Sequence, residues 1–302
     1  MKHLTLRMKF LLIAALLCTP ATVATYLLSN VAARSIHFTE KEVDGARYLQ
    51  PVGELQQLVA SYTLALQDTS LVDEEALSQG RDTLAAKLVE VERFPEKMHP
   101  DLQSPYTLPE LRRSIDTLMS LPPGTDLSGE GGPLAMVNEA IHQQVHWIAD
   151  QSNLILDPKL DSFNLMDSVV LNLPELLYSL NNFRITSLSK ETDSHRQALQ
   201  YDLYSVRKTM EEVMDTLSHA IEHNPELAIS LQQVAREFDE SLDIALTHAT
   251  ALLEQATPST VKTTLEALSS ALVHGFDLRE QGNRQLQGIL QNRIDKDAND
   301  RS

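Results

Sequence analysis

Apolar residues recur at intervals of three and four along most of this chain, and that spacing constrains its fold more than any other feature. Leu203, Val206, Met210, Val213, Leu217 and Ala220 form one stripe. Leu227, Leu231, Val234, Phe238, Leu242 and Ala245 form a second, and Val261, Leu265, Leu268 and Leu272 a third. At 3.6 residues per turn such spacing gathers apolar side chains into a narrow seam that must be buried against another helix. Period-two alternation is absent over any useful length. Aromatic residues at 5% and only 10 glycines argue against a sandwich, a barrel or a glycine-rich nucleotide fold.

Breakers divide the helices. Pro95 and Pro100, Pro122-Pro123-Gly124, the run Gly129 to Pro133, Asp157-Pro158, Asn224-Pro225 and Thr257-Pro258 mark connections, because each X-Pro step disfavours helix before it and suits the first turn after it. Helices are expected at about 72–93, 107–121, 132–156, 158–190, 194–223, 225–256 and 259–296. They follow a long first helix running to about residue 67, which Pro51 should kink or interrupt. Pro174 should bend its own helix and free a carbonyl near Val170. Short connections between long helices imply antiparallel neighbours. The expected fold is all-α: an elongated antiparallel helical bundle over 30–296, arranged as two stacked four-helix modules, with a polar tail at 297–302.

One apolar run stands apart. Residues 10–28, FLLIAALLCTPATVATYLL, carry no charge and are long enough to cross a bilayer as a helix. Lys2, Arg7 and Lys9 precede the run within residues 1–9, and no acidic residue occurs before Glu40. Basic flanks of this kind stay in the cytoplasm, so the bulk of the chain is expected outside it, in a bacterial periplasm beyond the inner membrane. The competing reading is a cleaved signal peptide, although the small-x-small cleavage pattern around Ala24 is imperfect. Cys18, the one cysteine, lies inside the run, which leaves the exported part without disulfide or thiol chemistry. The formal net charge of −17 argues against nucleic acid as a partner.

Few residues offer chemistry. There is no G-x-S-x-G elbow, no P-loop and no cysteine nucleophile beyond the run, so no enzyme activity, no catalytic residue and no cofactor is expected. His142 with His146, and His219 with His223, sit at i, i+4 as two metal ligands would, but spacing supplies no third ligand and no metal site is assigned. Asp157-Pro158 reads as an N-cap followed by a first-turn proline. Asp161 suits the first turn of the next helix, where negative charge is favourable. Arg184 follows an apolar stretch and could clamp a carboxylate with two parallel hydrogen bonds; an ion pair within the protein is its alternative.

Two stretches resemble the extracytoplasmic sensor region of bacterial methyl-accepting chemotaxis receptors, which some membrane diguanylate cyclases and histidine kinases also carry. Lys41-Glu42-Val43-Asp44-Gly45-Ala46-Arg47-Tyr48-Leu49-Gln50-Pro51 resembles the segment just beyond the first membrane helix of that family. Asn153-Leu154-Ile155-Leu156-Asp157-Pro158-Lys159-Leu160-Asp161-Ser162-Phe163-Asn164-Leu165-Met166-Asp167, with Leu173-Pro174-Glu175-Leu176 after it, resembles a second and more specific pattern. Leu286 to Ile294 resembles the helix leading into that family's second membrane span. Phe163 stands where the family has tyrosine, and Ser61-Tyr62-Thr63 where many members have H-R-G. The resemblance implies a membrane-anchored homodimeric sensor that binds a small solute, often an organic anion, and signals by helix displacement. Asn153, Asp161 and Arg184 are the candidate ligand-binding side chains. With no second apolar span in the sequence, signalling is expected to run through a separate transmitter protein. The alternative is a single-span helical interaction module that takes no small ligand.

Overall fold

The computed structural model describes residues 6–68, 74–103, 105–129, 131–189 and 193–299, and among them there is no strand. Nine α-helices follow in chain order among the described residues: α1 Leu6–Gln67, α2 Glu74–Arg93, α3 Leu108–Ser120, α4 Pro133–Gln151, α5 Leu160–Met166, α6 Leu173–Thr186, α7 Asp193–His223, α8 Glu226–Glu254 and α9 Pro258–Asn299. The fold is all-α, as the stripes require. Val206, Val213, Leu217, Leu231, Phe238, Leu242, Leu268 and Leu272 are all buried. Proline opens α4 and α9 at the first helical position, where its missing N–H has no intrahelical partner to lose.

Helix α1 holds the arrangement together. Its described residues up to about 31 are exposed, including Phe10, Leu16, Leu17, Tyr26 and Val31, and the helix is long and apolar enough to cross a membrane. From Glu42 to Gln67 it is enclosed on two sides. On one side Tyr48 reaches Val91 of α2, Glu54 meets Lys87, and Tyr62 meets Arg81, so α2 runs antiparallel to α1. Gln144 of α4 donates to the Tyr48 hydroxyl, and α3 packs against α4. On the other side Asn283 and Gln287 of α9 donate to the Ala46 carbonyl, Gln56 donates to the Pro174 carbonyl, and Gln67 donates to the Ile185 carbonyl. Helix α9 is thus antiparallel to α1 and α6 parallel to it, while α7 and α8 complete the second group around α9 and α6.

Both groups therefore flank the same stretch of α1. They lie side by side along the α1–α9 pair, and the end-to-end stacking expected of two four-helix modules is not what these registers describe. The reason is the length of α1 beyond Glu42: at 1.5 Å per residue it extends about 40 Å, enough for α2 and α4 on one face and α6 and α9 on the other.

Several local expectations are corrected. Pro51 does not interrupt α1, because the helix is buried there on both sides and tertiary packing outweighs one lost hydrogen bond. The helix expected over 132–156 stops at Gln151, where Asn153 takes a left-handed conformation (φ 66°) that asparagine tolerates, and a 3₁₀ turn Leu154–Leu156 follows. Asp157 is not the N-cap of α5, which Lys159 provides; the Asp157 carboxylate does accept the Lys159 N–H at 2.9 Å. Pro174 does not lie in a helix interior: it sits in the first turn of α6, and a π-helical turn, Asp167–Asn172, joins α5 to α6 before it. Helix α9 continues to Asn299, through the start of the expected polar tail, and residues 300–302 lie outside the described residues.

Candidate functional site

The stripe on α9 is broken by polar residues. Continuing its three-and-four spacing past Leu268 and Leu272 leads through Phe276 to Arg279, Asn283, Leu286 and Leu290. Positions that should carry apolar side chains thus place a guanidinium and an amide in the α1–α9 seam, at 6% and 7% exposure. One Arg279 nitrogen, Nη1, donates to Gln56 Oε1, and Asn283 Nδ2 donates to the Ala46 carbonyl at 3.0 Å. Arg279 Nη2 and Asn283 Oδ1 are buried and have no hydrogen-bond partner. Burial alone pushes the Arg279 guanidinium down to about 10, with no carboxylate beside it to compensate, so it remains a cation at neutral pH. An unpaired buried charge costs several kcal/mol, and an unmade hydrogen bond on a buried polar atom adds about 1–3 kcal/mol.

Both side chains line a cavity of about 80 Å³ between α1, α9 and the π-helical turn. Its inner wall includes Leu49, Val169, Val170 and Phe276. Gln50, Gln57, Asp277, Glu280 and Arg284 are exposed lining residues that mark its open side. The π-helical turn comes close to α9 because residue 282 is glycine: a Cβ there would lie 2.4 Å from Val169 Cγ1. Val170 also lines a second, larger cleft of about 480 Å³ between α4 and α6, with Pro174 beside it. Glu139, Glu175, His142, His146 and Tyr178 face this cleft, and no described lysine or arginine lines it. The His142 and His146 rings stand 4.2 Å apart. Burial first, and then His142, holds the His146 imidazole below its usual value. No group of three or more metal-ligating side chains gathers among the described residues.

Near the end of the seam that leads to the apolar span, Arg293 of α9 joins two acids. Its Nη1 is 3.0 Å from Asp157 Oδ1 and 3.7 Å from Glu42 Oε2, and its Nη2 donates to Ser162 Oγ at 2.6 Å. The Glu42 side chain is wholly buried, and its oxygens accept no hydrogen bond of good geometry. Burial, and then repulsion from Asp157, push the Glu42 carboxyl up to about 8, against the pull of Arg293 and Thr39. Between 4.5 and about 8 the folded protein keeps a proton at Glu42 that the unfolded chain has released, so stability falls as pH rises through that window. Burial also raises Asp202, to about 6, which adds the same sign between 3.8 and 6. Glu42→Gln mimics the protonated form. Thermal melts followed by circular dichroism are expected to show a shallower loss of stability from pH 5 to pH 8 in this variant, and a higher melting temperature than wild type at pH 8. Parallel wild-type and variant curves would refute this role for Glu42.

The three side chains singled out in the sequence lie apart from both cavities. Arg184 is 5% exposed, and its nitrogens donate to the Ala60 carbonyl (2.6 Å), Asn181 Oδ1 (2.7 Å) and Ser269 Oγ (3.2 Å). These bonds tie α6 to α1 and α9, with neither the carboxylate clamp nor the ion pair that the sequence offered. Asp161 accepts from Asn224 Nδ2 at 3.3 Å, at the turn between α7 and α8. Asn153 supplies the left-handed residue that ends α4. Sequence reasoning passed over Arg279, Asn283 and Gln56, although the interruption of the α9 stripe was the signal for two of them. No family model matches the chain, and no curated protein and no solved structure matches it.

Proposed function

We propose that this chain is a membrane-tethered sensor domain of the chemoreceptor type, with its amino terminus in the cytoplasm and its helical bundle in the periplasm. It takes a small solute in the α1–α9 seam. The observation that carries this reading is the cavity lined by Arg279 and Asn283, two side chains that are nine-tenths buried, each with one polar atom lacking a partner. The cavity lies between α9 and the helix that continues into the apolar amino-terminal span. A solute held in this cavity favours whichever packing of α1 against α9 holds it best, and the population shifts toward that packing. Displacements of about 1–2 Å along packed helices are the scale of such switches. The π-helical turn at the cavity wall is of a kind that recurs at functional sites. By the sequence resemblance the domain works as a homodimer.

A thermal-shift screen of the full chain in detergent, against amino acids, organic acids, polyamines and divalent metal ions, tests the proposal. A solute present at 100 times its Kd adds about 2.7 kcal/mol of apparent stability. At least one probe is expected to raise the melting temperature, and Arg279→Met to remove that response. A flat screen with a co-purifying protein partner would instead identify an interaction module.

A further inference from the structure

We propose that the α4–α6 cleft binds a divalent transition-metal ion of borderline softness, such as zinc, through the imidazoles of His142 and His146. This site is separate from the seam cavity and stands independently of the sensor reading. The two histidines lie four residues apart on α4, so the helix itself carries both rings to one face. Their centroids are 4.2 Å apart. Two nitrogens bound to one zinc at about 2.0–2.1 Å each lie roughly 3.3 Å from one another, a separation within reach of rings at this distance. Neither ring has a hydrogen-bond partner among the described residues, so no contact must be broken to free a lone pair. Both histidines are exposed, and burial of the His146 nitrogens, followed by repulsion from His142, favours the neutral ring that a metal requires.

The surroundings call for a cation. Glu139 lies one turn before His142 on α4, and Glu175 of α6 lines the same cleft of about 480 Å³. No described lysine or arginine lines it, so its potential draws cations in. The charges of both glutamates act on the His146 ring. No third protein ligand gathers with the two rings among the described residues. Water therefore fills the remaining positions of the ion, and the two glutamates accept hydrogen bonds from those waters. Paired imidazoles select zinc or cobalt over magnesium and calcium, which favour oxygen ligands. An open coordination sphere of this kind exchanges its ion, unlike the closed four-ligand sites of structural zinc.

The other histidine pair at this spacing is already engaged. His219 faces carboxylates at both ring nitrogens, Glu222 at 3.2 Å and Asp215 at 3.7 Å. His223 Nδ1 is hydrogen-bonded to the His219 carbonyl at 2.8 Å. That pair serves as the control.

Isothermal titration of the full chain in detergent, stripped of metal with a chelator and free of any histidine tag, tests the inference. Zinc and cobalt ions are the probes, with magnesium and calcium ions for comparison. Zinc and cobalt are expected to bind at least about a hundredfold more tightly than magnesium or calcium. His142→Ala and His146→Ala, both at exposed positions, are each expected to weaken zinc by at least about tenfold with helical content unchanged. Glu175→Gln is expected to weaken it by roughly tenfold, and His219→Ala to leave it unchanged. Zinc binding is also expected to persist in Arg279→Met, which separates the cleft from the seam cavity. Zinc held no more tightly than magnesium, an affinity unmoved by either substitution on α4, or a loss caused by His219→Ala overturns the inference. None of these outcomes bears on the sensor reading, whose test is a melt that responds through Arg279.

Discussion

Replacing Arg293 with alanine is expected to destabilise the protein by about 3–5 kcal/mol at pH 8, with a smaller loss at pH 5. Arg293 is only 16% exposed, and it holds Asp157 at 3.0 and 3.4 Å with Glu42 at 3.7 Å from the same guanidinium. Without it, two buried carboxyl groups from α1 and the α4–α5 connection face each other with no cation between them. The size of the loss follows from leaving charge buried and unpaired, more than from the attraction given up. Its pH dependence follows from Glu42. At pH 5 this carboxyl is protonated with or without the arginine, so the variant loses chiefly the Asp157 contacts. Near pH 8 the wild type begins to release the proton with Arg293 to receive the charge, and the variant has no such partner. At about 2–4 °C per kcal/mol for a chain of this size, the drop at pH 8 is on the order of 10 °C. Adding Glu42→Gln to the variant should recover part of it. Melting curves at the two pH values are the measurement, and a loss below about 1 kcal/mol at both would show that this cluster is not a buried ionic link.

The second large effect is expected from a single methyl group. A Cβ on Gly45 would lie 2.1 Å from Ser152 Oγ and 2.2 Å from Ser152 Cβ, where α1 crosses the end of α4. Ser152 is fully buried, and its Cβ is fixed to the backbone, so no rotamer change makes room. Alanine gains about 1 kcal/mol over glycine in helix propensity. Forcing two helices apart in a filled core costs about 1–3 kcal/mol and here approaches the upper end, since the overlap is with a Cβ. Gly45→Ala is therefore expected to be destabilising by about 1–2 kcal/mol despite the better helix former. Gly288→Ala supplies the contrast: a Cβ there meets nothing within 4 Å, so this variant should gain up to about 1 kcal/mol. Ser152→Gly should rescue Gly45→Ala, and Ser152→Ala, which keeps the offending atom, should not. Rescue by both would place the strain in the hydroxyl alone.

These two positions also explain the residues that carried the resemblance. Gly45 is small because α1 and the end of α4 touch there. Glu42 and Asp157, taken from the two separate motifs, meet at one arginine. Tyr48 is buried, donates to the Val91 carbonyl, accepts from Gln144 and stacks on Phe94 with ring centroids 5.4 Å apart. Its burial, with Glu92 nearby, raises the phenol above its ordinary value. Each of the two motifs forms one half of the same contact between helices distant in sequence.

Helical class, the approximate limits of most helices, and the amino-terminal apolar run were determined by the sequence itself. Three-and-four spacing, proline at first-turn positions and an uncharged run of bilayer length are local properties, and each acts within a few turns of backbone. Only the tertiary structure decided that α1 is flanked on both faces over one stretch, that Pro51 lies inside an unbroken helix, and that Arg184 ties α6 to α1 and α9. It also decided that Arg279, Gln56 and Asn283 meet around one small cavity. The physical reason is that a side chain's protonation, partners and exposure depend on groups that arrive from far along the chain: Gln56 and Arg279 are separated by 223 residues, yet they share a hydrogen bond.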